Sequence, residues 1–158
     1  MNLFLWRMAA SVAGLWGSLT IVMYSLERLS LIRMAHDNGQ GDGELPGSLI
    51  AWFFAGFIAL NLTVFYALTR WARYIRANPK TPQAPVSVLI GVVALCGGAL
   101  LWGMAAHAED VREQAVVSLE PSLGYIAFQV LVASLALIML VLVAVRWSPG
   151  YRREFIRS

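Results

Sequence analysis

Apolar residues fall into four blocks, separated by stretches in which charge, Gly and Pro are concentrated. The blocks run from about 8 to 26, 46 to 69, 86 to 106 and 125 to 145. Each approaches the ~20 residues that cross ~30 Å of hydrocarbon at ~1.5 Å per residue. The pattern predicts an all-α polytopic membrane protein. It forms a single integral membrane domain over residues 1–158, with four transmembrane helices arranged as two hairpins.

The first block is too long and uninterrupted for a secretory signal, whose apolar region runs ~7–15 residues, so it reads as a retained helix. After Glu27 and Arg28 an amphipathic continuation through Leu29, Leu31 and Ile32 is expected. The segment Asp37-Asn-Gly-Gln-Gly-Asp-Gly43 then reads as a loop. The second block carries Trp52 and Trp71 near its ends, where aromatic belts sit. Arg70, Arg73 and Arg76 recur every three residues beyond it, predicting a helix that projects past the headgroups until Asn78-Pro79 stops it.

Small residues suggest which helices pack. Ala10, Gly14 and Ser18, and also Ala9, Ala13 and Gly17, stand at four-residue spacing on helix one; Gly91, Gly97, Gly98 and Gly103 mark helix three. Such stripes let backbones approach closely, so helices one and three are expected to be partners. Gly14, Gly17 and Gly98 are the expected contact points, and Asn61 is expected to act as interhelical glue. Block four has only Gln129 and Ser134 as polar residues and reads as the lipid-facing helix.

Composition agrees with the membrane reading: 59% of residues are hydrophobic and 13% charged, against roughly 25% charged in a soluble domain. Charge then orients the chain. Arg7, Arg70, Arg73, Arg76, Lys80, Arg146, Arg152, Arg153 and Arg157 lie on one side against Glu154 alone, a net +8. The other side sets Arg28, Arg33 and Arg112 against eight acids, a net −5. Basic residues flanking membrane spans mark the cytoplasm, so both termini are expected there (N-in/C-in) and the membrane is expected to be a bacterial cell inner membrane. Arg70, Arg73, Arg76 and Lys80 are the expected cytoplasmic anchor, in contact with anionic membrane lipid. Their place beside the spans speaks against nucleic acid as a partner.

The hairpins carry a possible repeat. Glu44, Ile50, Ala51, Arg70, Trp71 and Arg76 each recur 76 positions later as Glu120, Ile126, Ala127, Arg146, Trp147 and Arg152. Duplication is one reading; the recurrence of interface anchors at every outside-to-inside helix is the other.

Candidate chemistry is sparse. Cys96 is the only cysteine, which excludes dithiol chemistry within one chain. No Asp, Glu, Lys, Arg or His lies in the central part of any block, whereas proton- and ion-coupled transport usually needs such a group. His36 and His107 follow helices one and three in similar settings, Met34-Ala-His36-Asp37 and Met104-Ala-Ala-His107. If those helices pack, the two imidazoles are candidate ligands for copper, zinc or a haem iron. Asn61 and Thr63 are the candidate lining of a passive transporter or channel element. The leading expectation is neither of these. It is a non-catalytic small integral subunit, without cofactor, that assembles with other integral membrane subunits or with copies of itself.

Overall fold

A computed structural model of the chain describes residues 2–77, 85–114 and 116–147. Lys80 and the basic tail lie outside the described residues. The described chain is four helices and no strands: α1 (Asn2–Asp37), α2 (Gly47–Ala77), α3 (Val86–Arg112) and α4 (Leu123–Trp147). All four are long and apolar enough to span a membrane, so the fold is a four-helix membrane bundle. Every helix runs past the apolar block that nucleates it; α1 and α2 stop just short of Gly39 and Pro79, whereas α3 ends at Arg112 with no Gly or Pro before Pro121. At 36 residues α1 is roughly 54 Å long. It continues through the amphipathic turn to Asp37, and α2 carries Arg70, Arg73 and Arg76 on one unbroken helix.

The arrangement of the helices corrects the sequence reading in two respects. First, α4 is the centre of the bundle and contacts α1, α2 and α3, while α1 and α3 barely touch each other along their lengths. Second, α4 does not present itself wholly to lipid. Ile126, Gln129, Val130, Val132, Ala133, Ser134, Val141 and Val145 are buried on it. Leu131, Leu135 and Leu140 face outward. The physical reason is that lipid tails and a protein interior are equally apolar, so hydrophobicity alone does not choose between them.

The inner face of α1 is also different from the predicted stripes. Ala9, Ala10, Ala13 and Gly17 are exposed, whereas Ser11, Leu15, Ser18, Leu19, Val22 and Ser25 are buried. These positions follow the 3–4 spacing of one helix face. Ser11, Ser18 and Ser25 recur every seven residues and donate their hydroxyls back to carbonyls of their own helix, Ser18 to Gly14 O at 2.7 Å and Ser25 to Ile21 O at 2.8 Å. Their small, internally satisfied side chains do what glycine was expected to do. From α1, Trp16 Nε1 reaches across to donate to Ser134 Oγ of α4 at 3.2 Å.

Three apolar clusters run along the bundle. Ala67, Trp71, Val141 and Val145 close the arginine-bearing end, Leu19, Ile126, Val130 and Ala133 fill the middle, and Leu31, Ala35, Val111 and Val117 close the acidic end. The hairpins do not repeat one another in packing. Trp71 is 5% exposed and Trp147 59%, so residues 76 positions apart in sequence occupy unlike environments.

Candidate functional site

The densest polar constellation forms near the acidic end, where the ends of three helices converge. Glu27 of α1 is 6% exposed, and its Oε1 lies 2.6 Å from Nε2 of His107 on α3. A carboxylate taken out of water needs a hydrogen-bonding partner, and this imidazole supplies it. The His107 ring in turn stacks on Tyr125 of α4, with centroids 4.0 Å apart and planes at 12°. One turn further along α4, Gln129 is buried, with no acceptor for its Nε2 among the described residues; the same holds for Nε of Arg28. Gly103 of α3 makes the approach of α4 possible here, because a Cβ at that position would stand 2.7 Å from the Phe128 ring.

The chemistry of this constellation is that of a clamp. Glu27 and His107 are hydrogen-bonded at 2.6 Å and tie α1 to α3 where the helices otherwise scarcely meet. The ring of Tyr125 fixes the plane of the imidazole, which orients Nε2 toward the carboxylate.

His36, the other candidate ligand, is placed differently. It is exposed at the end of α1, and its Nδ1 lies 3.3 Å from the carbonyl oxygen of Gly41. Gly43 stands against the same ring. Its φ of +69° favours glycine, and a Cβ there would come within 2.6 Å of the imidazole. His36 thus orders the 38–43 loop, and Gln40 of that loop accepts from Val117 N through its side-chain oxygen at 2.9 Å. Met104 is 54% exposed, while Met34 packs on the cluster around Leu31. Among the described residues no group of three or more His, Cys, Asp or Glu side chains stands at metal-holding separation.

The residues named for packing also separate. Gly14 faces α2, where its absent Cβ would lie 3.0 Å from the Thr63 methyl. Gly17 and Gly98 meet no atom within 4 Å. Asn61 is exposed on α2, its amide donating to Phe57 O at 2.8 Å. Thr63 turns toward α1, so the two polar residues of α2 do not line a common path.

At the opposite end a cavity of about 240 Å³ opens between α1 and α2, lined by Arg7, Met8, Arg70, Trp71, Arg73 and Tyr74. A second, of about 350 Å³, lies between α2 and α4, lined partly by Arg73 and Arg76. Three of the four expected anchor residues therefore border a cavity; Lys80 lies outside the described residues.

Sequence reasoning missed the Glu27–His107 pair: the two residues are 80 positions apart, and although helices one and three were expected to pack, His107 was matched with His36 rather than with Glu27. The available signal was Glu27 itself, an acid inside an amphipathic turn, which demands a partner. Comparison of the chain with protein-family models, with curated proteins and with solved structures finds no match in any of the three.

Proposed function

We propose that this chain is a non-catalytic integral subunit of a bacterial cell inner membrane, with both termini in the cytoplasm, which binds other membrane-spanning helices through the outer faces of α2 and α3. The observation that carries this reading is Asn61. It lies mid-helix on an open face of α2, among the exposed Phe54, Phe57, Ile58, Leu62 and Phe65. Its side chain has two N–H donors and an acceptor oxygen, and one of these groups is engaged, by its own helix at Phe57 O. An amide left otherwise unpaired in hydrocarbon costs several kcal/mol, a cost that a neighbouring helix removes by hydrogen bonding across the interface.

A second face points the same way. On α3, Gly91, Ala94 and Gly98 are exposed at helical spacing, and nothing of this chain stands within 4 Å of where a Cβ would be at either glycine. The principal neighbour of α3 is α4, which leaves this smooth surface for another backbone to approach.

The test is purification of the tagged chain in mild detergent. The wild type is expected as a complex, either with other membrane proteins or with its own copies. Asn61→Leu and Gly98→Leu should each weaken that association by about 1–2 kcal/mol, with the thermal stability of the chain itself unchanged. A wild-type protein that runs as a monomer with nothing bound, or variants that hold their partners as tightly as the wild type, would show the reading to be wrong.

A further inference from the structure

We infer that the cavity between the arginine-bearing ends of α1 and α2 is a binding site for a phosphate group. Arg7, Arg70 and Arg73 line it, and among the described residues no acidic side chain does. None of the three has an acidic partner among the described residues. Three like charges around one space repel each other, and an anion between them reverses the sign of that interaction. The planar fork of guanidinium matches phosphate oxygens in pairs.

The same wall holds a second polar feature. Trp71 lines the cavity and is 5% exposed, yet its Nε1–H has no acceptor among the described residues. A buried donor without an acceptor is costly; the nitrogen is closed off from the cavity in this structure, and a turn of the indole ring brings it onto a phosphate oxygen. Arg70 is held in place from the other side by its stacking on Tyr66, with Cζ 5.5 Å from the ring centroid. The volume of about 240 Å³ far exceeds the ~10–15 Å³ that one water needs. Met8 and the rings of Trp71 and Tyr74 give the rest of the wall an apolar character. The shared chemistry is a phosphate anion; its source is either a lipid headgroup or a soluble phosphate compound.

The experiment uses the full chain in nanodiscs of zwitterionic phosphatidylcholine, with and without phosphatidylglycerol, and separately in detergent with inorganic phosphate. Retained lipid is read by native mass spectrometry and stability by the thermal midpoint. The double variant R7Q/R73Q should weaken phosphate-group binding by about thirtyfold, from the contribution of each surface cation. Trp71→Phe, which keeps the ring and removes only the N–H, should weaken it by a factor of about 3–10, the effect of one hydrogen bond. Arg33→Gln, at the far end of α1, should leave it unchanged. Selective retention of phosphatidylglycerol identifies a lipid source, and a midpoint raised as much by inorganic phosphate alone identifies a soluble one. Failure of both ligands to bind overturns the site, as does binding that Trp71→Phe and R7Q/R73Q leave at the wild-type level or that Arg33→Gln reduces equally.

Discussion

At the scale of single residues, the Glu27–His107 pair governs how much of the acidic end survives substitution. Glu27 is 6% exposed and faces an imidazole at 2.6 Å. Removing one partner of a buried pair strands the other, which costs about 3–5 kcal/mol when a charge is left uncompensated. Replacing the carboxylate by an amide keeps a hydrogen bond and the shape, at a cost of about 1 kcal/mol. His107→Ala should therefore destabilise the chain more than Glu27→Gln, and the double variant should recover part of the loss, because no buried charge then remains. Unfolding midpoints of the three variants in detergent measure this. Equal losses for the two single changes would mean that the pair contributes shape alone. Little of this was legible in the sequence. His107 stood out as a possible ligand, and Glu27 as a boundary acid, but nothing in either local segment shows that a turn of α1 and a turn of α3 meet while the rest of those helices diverge.

At the scale of the helix, the central position of α4 inverts the expectation drawn from its apolar composition. Its mean hydropathy of 2.8 is the highest of the four, and in water such a helix would be buried for that reason. In a membrane the argument fails, since lipid solvates Leu and Val as well as protein does. The informative residues were the polar ones: Gln129 and Ser134 are 3% and 4% exposed and mark the inner face. Small polar residues played the same role on α1, where the seven-residue recurrence of Ser11, Ser18 and Ser25 identifies the buried side and the alanine stripes do not. Helix existence and approximate length were readable because the apolar blocks match the bilayer. The two hairpins were readable as well, and α1 with α2 and α3 with α4 are the main pairings; how one hairpin packs on the other was not, because it depends on which faces carry polar side chains needing shelter. The consequence is testable with substitutions on one helix. Ala133 sits in the central cluster with Leu19, Ile126 and Val130, so Ala133→Leu should overpack it and cost about 1–3 kcal/mol. Leu140 is 47% exposed, and Leu140→Ala should stay within about 0.5 kcal/mol of wild type. Denaturant titration in mixed micelles distinguishes them. A silent Ala133→Leu beside a damaging Leu140→Ala would place lipid on the wrong side of α4.

At the scale of the whole molecule, the two ends differ in charge, and that difference supports the orientation proposed above. One end gathers Arg7, Arg70, Arg73 and Arg76 around its cavities, and the other presents Glu109, Asp110, Glu113 and Glu120 beside the 38–43 loop. During insertion, basic residues close to a span resist transfer across the membrane, whereas acids contribute little. The outcome is therefore set by the arginines, and four of them cluster at the end where α2 finishes and α1 begins. In the orientation proposed above, α1 and α3 run outward and α2 and α4 inward. Reporter domains fused after residue 40 and after residue 114 should be exported, and those fused after residues 77 and 147 retained. Because orientation rests on the arginines, replacing Arg70, Arg73 and Arg76 together by Gln should reduce the retained fraction at residue 77, while replacing Glu109, Asp110 and Glu113 by Gln should leave all four fusions as they were. An exported reporter at residue 77 in the unmodified chain would reverse the assignment of both ends, and with it the side from which the phosphate site is reached.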